Sequence, residues 1–473
     1  MPENRRSRLL PRRGMSLFLL PALLAAGGCS GKGDALSGRY EGSNLVVLIV
    51  DTLRADHLGC YGYPRPTTPR IDGLAGESLV FDNATVPIGI TLPSHASILT
   101  GLYPQNTGSF RNYGRLDDRL LTLAEVLKDR GYRTGAVVGT AVLKSSKNLG
   151  QGFDAYLENF ASREWVPGSK NQVKRRKGTA EDGLRLAREW IEEDPGRPFF
   201  LMVNLYDVHA PFILPPEFQG RFRSRGDDPE MAARFGEEGW RSVAGDPDKA
   251  ALIDDYDAAL AYTDAEIGKF LDALEREGLD GETIVVVTAD HGEELYQHRD
   301  YASHGMYLYD GETRVPLLIR LPDRTRTGRV ETVAESVDLF PSLLDLLGIR
   351  TEAAVDGVSM IPALEGAGTG KRRAFAMRLP EDERGRPLPR QFMVRDGDTK
   401  LIHTLGGETE LYRLDRDPWE RNDLAAGGGA DARTRGLIRS GREWYREEAV
   451  DNAAAATLDG ETAEDLRALG YLQ

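Results

Sequence analysis

Cysteine is scarce in this chain of 473 residues: Cys29 and Cys60 are the only two. Once Cys29 is cleaved away or acylated, Cys60 has no intramolecular partner, which excludes a disulfide framework and leaves the fold to its hydrophobic core. Positive charge is also short, with 60 Lys and Arg against 74 Asp and Glu and a formal net charge of −14. A surface that acidic argues against a nucleic-acid partner held through its phosphates. The one basic cluster, KNQVKRRKG at 170–178, reads as a solvated loop ahead of a helix. The apolar run at the N-terminus, MSLFLLPALLAAGG, is too short for a comfortable membrane span. There is no internal repeat.

What the N-terminus does contain comes in a telling order. A basic run, RRSRLLPRRG, precedes the apolar run, and the small residues Ala26, Gly27 and Gly28 precede Cys29. That order describes a secretory signal, and the small residues resemble a bacterial lipoprotein cleavage box. The expectation is a lipoprotein-type signal over 1–28 and a linker over 29–43. The protein would then sit in the cell envelope, periplasmic or at the outer surface, and touch the membrane only through a lipidated Cys29. A plain secreted form or an uncleaved anchor are the alternatives. Cleavage removes five arginines and one glutamate, so the net charge moves from −14 to −18.

From residue 44 short apolar runs alternate with amphipathic stretches. NLVVLIVD, GYRTGAVVG, FFLMVNLYD and TIVVVTADHG read as buried strands, and LTLAEVLKDRG, TAEDGLRLAREWIEED and DAALAYTDAEIGKFLDALEREG as helices, the last stopped by Gly278. This predicts an α/β catalytic domain over 44–350, with a mostly parallel central sheet flanked by helices. AFAMRL, RQFMVRDGDTKLIHTL and ETELYRLDRDP then predict a small C-terminal antiparallel subdomain over 351–423, with a hairpin turn at Asp396-Gly397. A linker and terminal helices fill 424–473.

Two of the apolar strands run into acids, Asp51 and Asp290, the second followed by His291. Carboxyl ends of parallel strands border the crevice where open α/β sheets bind ligands. Each acid alone reads equally well as a cap on the next turn. Together with the imidazole they form a plausible divalent-metal site. In GITLPSHASILTG, Pro93 suits a first helical turn, which puts Thr91 at the helix entrance beside exposed backbone donors. Thr91 is then either a simple N-cap or a nucleophile whose hydroxyl a neighbouring metal activates. The chain has seven histidines, and His209, His298 and His304 fall in or near strand-end segments, where a general acid, an anion binder or a second-metal ligand are the available roles.

VVLIVDTLRADHLGCYGYPRPTTPRIDGLAGESLVFDNA, TLPSHASILTGLYPQNTG, HAPF, VVVTADHGEEL and LYDGETRVPLLIRLP, followed by ELYRLDRDPWERNDLA and LRALGYL, together resemble the sulfatase family of the alkaline phosphatase superfamily. The resemblance implies an alkaline-phosphatase-like α/β sandwich and a divalent ion held by Asp51, Asp290 and His291 with Thr91. It also implies catalytic roles for Thr91, His209 and His304, and substrate contacts from His95 and Asn112. Departures qualify it. Where the family carries Cys or Ser in Cys-X-Pro-X-Arg, this chain has Thr91, Leu92, Pro93, Ser94 and His95, so formylglycine is not expected and a histidine replaces the arginine. Thr52 takes the place of a second aspartate, and His304 stands about where the family offers lysine; by resemblance to phosphodiesterase and phosphatase relatives it could instead bind a second metal with Asp207 and His209, although those relatives use a wider spacing. Threonine nucleophiles typify phosphate-ester branches of the superfamily, which moves the expected substrate from sulfate toward phosphate mono- or diesters, with transfer to an alcohol also open. The alternatives are a sulfuric ester hydrolase without formylglycine and an inactive glycan- or head-group-binding relative. Zinc or manganese suits the implied ligands, calcium less so. The expected partner is a small-molecule, glycan or lipid head-group ester.

Overall fold

The computed structural model describes residues 35–160, 163–165, 172–174, 177–298, 300–365, 373–382, 385–426, 431–446 and 460–469. The expected signal peptide and Cys29 lie outside these residues. Among the described residues no helix is long and apolar enough to cross a membrane.

An eight-stranded sheet organises the fold. In chain order its strands are β1 (Asn44–Val50), β2 (Leu79–Phe81), β3 (Arg133–Val138), β4 (Ala155–Glu158), β5 (Phe199–Leu205), β6 (Thr283–Thr288), β7 (Leu317–Arg320) and β8 (Gly328–Val330), and in space they run β8-β2-β7-β6-β1-β5-β3-β4. The run β6-β1-β5-β3-β4 is parallel throughout; β7 is antiparallel to both its neighbours. Every residue of β1, β3, β5 and β6 is buried, as strands covered on both faces must be, and this explains why apolar residues dominate them without a polar alternation.

The helices that matter for the site are α1 (Thr91–Thr100), α2 (Leu123–Asp129), α3 (Ala180–Glu192) and α4 (Pro247–Arg276). Helix α3 packs on β3 and β5, and α4 packs on α3. The sequence reading starts α4 at Asp257, but it begins ten residues earlier, where Asp246 accepts the amides of Asp248 and Lys249 and Pro247 occupies the first turn. The segment ahead of α4 contains two short helices, Pro229–Phe235 and Glu237–Gly245.

A separate sheet of β9 (Arg373–Arg378), β10 (Gln391–Asp396), β11 (Thr399–Thr404) and β12 (Thr409–Arg413) is antiparallel in sequential order. Its β10–β11 turn is Gly397-Asp398, one residue later than expected, because Asp396 still pairs with Thr399 and the positive φ of +62° falls on Gly397. Helix α5 (Ala432–Tyr445) covers this sheet at Gly441, where any Cβ would strike the Phe392 ring. The sheet is tied to the segment before α1: Met377 donates its amide to the Pro87 carbonyl (2.9 Å), and Ile88 and Ile90 share a core cluster with Phe110, Met377, Leu379 and Phe392.

Candidate active site

Thr91 is the first residue of α1, and Ile90 occupies the N-cap position with extended φ/ψ and no capping side chain. The capping falls to Asn112 instead, whose Oδ1 accepts the Leu92 amide at 3.0 Å. Asn112 thus lies at the site, with its carbonyl oxygen engaged by the helix entrance. Ser94 Oγ donates to the Asp290 carbonyl (2.5 Å), fastening the first turn of α1 to the end of β6.

Asp51 follows β1 directly and Asp290 follows β6 by two residues, so adjacency of β1 and β6 brings the two acids together. Asp290 Oδ1 accepts the amides of Thr52 (3.3 Å) and His291 (2.9 Å). Asp51 Oδ1 and Asp290 Oδ2 are buried and accept no hydrogen bond. His291 Nδ1 lies 2.9 Å from the Gly292 carbonyl and therefore carries its proton there, which turns the Nε2 lone pair toward Thr91 Oγ1 at 3.2 Å. The donor atoms of Asp51, Asp290 and His291 all lie within 4.8 Å of one another. Burial and the neighbouring Asp290 charge push the Asp51 carboxyl well above its ordinary value, burial raises Asp290, and burial with the His304 charge lowers His291. Two facing carboxylates with orphaned oxygens and an imidazole lone pair, all in low dielectric, are a donor set that a dication satisfies. The imidazole suits zinc or manganese better than calcium.

Thr52 does not replace the second family aspartate as a ligand. It sits at φ +56° and its hydroxyl donates to the Asp51 carbonyl at 2.7 Å. Among the described residues, Asp51, Asp290 and His291 form the one group of three or more ligating side chains at such spacing; Asp207 and His209 do not make a second.

His209 and His304 converge on the same centre. Their ring centroids are 5.1 Å apart, and His304 lies 4.3 Å from His291. His209 stacks on Tyr206, and burial with the charges of His304 and Lys177 lowers its pKa well below the ordinary value. His304 Nδ1 is 3.1 Å from Glu293 Oε2, an arrangement in which a carboxylate orients an imidazole. His298 stands apart, stacked on Tyr309 and placed between Glu294 and the Trp419 carbonyl. His95 is wholly buried, with Nδ1 2.9 Å from the Thr91 carbonyl and Nε2 3.4 Å from Asn204 Nδ2.

Three residues here escaped the sequence reading. Lys177, taken for part of a solvated cluster, is buried, and its ammonium donates to the carbonyls of His209 (2.6 Å) and Pro211 (3.0 Å). Glu312 is buried beneath the loop that presents His304 and accepts the amides of Gly305 (2.7 Å) and Tyr307 (3.0 Å). Asn204, the penultimate residue of β5, reaches Asp51 and His95 together. For Asn204 a signal existed: a carboxamide inside an otherwise apolar strand, immediately before LYDVHAPF.

Residues 43–349 match the family model described as Sulfatase, and residues 298–435 match one described as N-sulphoglucosamine sulphohydrolase, C-terminal. An uncharacterized sulfatase, YidJ, of Escherichia coli (strain K12) is 26% identical, over 80% of this chain and 82% of that protein. Arylsulfatase A of Homo sapiens is 27% identical, over 81% of this chain and 83% of that protein. The crystal structure of the phosphonate monoester hydrolase of Agrobacterium radiobacter superposes with a TM-score of 0.63 at 22% identity, covering 89% of this chain and 98% of that one.

Proposed function

Since the chain belongs to the sulfatase family, we propose that it hydrolyses a phosphate mono- or diester by way of a covalent intermediate on Thr91. The observation that carries this reading is the Thr91 hydroxyl at a helix entrance, 3.2 Å from His291 Nε2 in the Asp51, Asp290, His291 group, where formylglycine-dependent chemistry needs cysteine or serine. A divalent ion held by those residues supplies Lewis acidity and lowers the pKa of an adjoining hydroxyl.

Thr91 Oγ1 attacks phosphorus in line. The Oγ1–P bond forms as the P–O bond to the leaving alcohol breaks, and the hydroxyl proton passes to solvent. His209 hands a proton to the departing oxygen. Its ring is neutral in the free site, and the negative charge of the arriving ester draws a proton onto it. His304, oriented by Glu293, donates to a non-bridging oxygen as charge builds there. Water or an acceptor alcohol then attacks the phosphothreonine, His209 takes the incoming proton, and Thr91 is regenerated.

The family match favours a second reading, cleavage of a sulfate ester with Thr91 in the same place. Paired nitrophenyl sulfate, phosphate monoester and phosphate diester, assayed with added zinc or manganese beside Thr91→Ala, separate the two. The proposal expects phosphate-ester turnover that disappears in Thr91→Ala. Sulfate turnover alone establishes the second reading, and no turnover of any of the three defeats both for simple esters.

A further inference from the structure

We propose that Asn204 is a positioning residue that holds the ligating edge of Asp51 and occupies the Nε2 lone pair of His95, so that one carboxamide braces both the metal face and the turn that carries Thr91. The inference rests on the metal-site reading above. Asn204 pairs in register with Ile49 of β1 and Val138 of β3, which places its side chain diagonally beside Asp51, two residues beyond Ile49 on the same strand face.

The orientation of the amide follows from its partners. Asn204 Oδ1 accepts the Gly139 backbone amide at 3.1 Å, so Nδ2 is the atom turned to Asp51 Oδ2 (3.5 Å) and His95 Nε2 (3.4 Å). Donation to Nε2 requires His95 to carry its proton on Nδ1, the nitrogen 2.9 Å from the Thr91 carbonyl. His95 then steadies the first turn of α1 as a neutral donor. Asp51 is held by Oδ2 while Oδ1, buried and without a hydrogen bond, is left as the oxygen presented to a cation. Asn204 is 1% exposed, and both hydrogens of its Nδ2 are directed to these contacts.

The test is titration calorimetry of metal-stripped full-length protein with Mn²⁺ alone, comparing wild type, Asn204→Leu, the smaller Asn204→Ala, and Val203→Ala as a truncation elsewhere in the same strand. The expected result is a dissociation constant raised roughly ten- to a hundredfold in whichever Asn204 variant is folded. Val203→Ala should lower the melting temperature and leave Mn²⁺ binding unchanged. Nitrogen-15 spectra of the imidazoles give a second readout, in which the unprotonated Nε2 resonance of His95 shifts on loss of its hydrogen bond in the Asn204 variants while Nδ1–H, held by the Thr91 carbonyl, persists. A folded Asn204 variant that binds Mn²⁺ as wild type does overturns the proposal while leaving the metal site standing. A wild-type protein that takes up no ion overturns both.

Discussion

Thr91→Val and Thr91→Ser form a pair in which stability and activity should move in opposite directions. Thr91 is wholly buried, so its methyl group and its hydroxyl both count. Serine keeps the hydroxyl and deletes the methyl, which costs about 0.8 kcal/mol of transfer free energy plus a small cavity contribution, or roughly 1–1.5 kcal/mol. Valine keeps the branched shape and deletes the oxygen. It forfeits the contact to His291 at 3.2 Å, worth about 1 kcal/mol net for a neutral pair, and recovers most of that by burying a methyl group. The valine protein should therefore unfold at least as late as the serine protein in urea. Its turnover of the best nitrophenyl phosphate ester should nonetheless fall about a thousandfold or more, since a nucleophile is lost, whereas serine retains measurable turnover. Intact-mass spectrometry after rapid quenching should find phosphorylated protein with serine at 91 and none with valine. Turnover by Thr91→Val within an order of magnitude of wild type would refute the assignment and leave residue 91 as a positioner of water.

Glu312→Ala strands two partly buried amides, those of Gly305 and Tyr307, at about 1 kcal/mol each, so the urea midpoint should fall clearly and kcat should fall with it, while Glu312→Gln, which keeps one acceptor, recovers part of both. Equal midpoints for the alanine and wild-type proteins would contradict this account of the His304 loop. Asn112→Ala removes the acceptor of the Leu92 amide and should cost about 1–2 kcal/mol by thermal unfolding, with a loss of kcat larger than any change in KM. His298 supplies the pH dependence. Burial opposes its charge, but the hydrogen bond and charge of Glu294 outweigh that and raise its pKa. The stability it contributes is thus fully present below the unfolded-state value of about 6.5 and is lost as pH rises through the raised folded-state value. Urea midpoints measured from pH 6 to 9 should decline across that window in wild type and flatten in His298→Gln; parallel curves would disprove it.

The strands and their terminal acids were legible because a fully buried parallel strand has one reading, an unbroken apolar run, and a carboxylate at its end has nowhere to go but the crevice. Thr91 was legible through the proline two residues on. Asn204, Lys177 and Glu312 were not, since each acts through a backbone partner set by tertiary register: Gly139 just past the next strand, the His209 and Pro211 carbonyls, the Gly305 and Tyr307 amides. Lys177 was misjudged because a dense run of cations reads as solvated, whereas the two backbone carbonyls and the Tyr206 ring make its burial affordable. The early start of α4 was missed for a local reason: PDKAALIDDY shows little apolar periodicity, yet Asp246-Pro247 is a helix-opening pair.

The packing of β9 against the segment before α1 bears on when the protein can become active during its synthesis. Both acid-bearing strands and the threonine emerge from the ribosome more than eighty residues before Met377, whose amide grips Pro87 and whose side chain backs Ile88 and Ile90. Until then the turn that carries Thr91 stands without the sheet against which Ile88 and Ile90 pack. The last fifth of the chain must therefore be in place before the surroundings of Thr91 are complete.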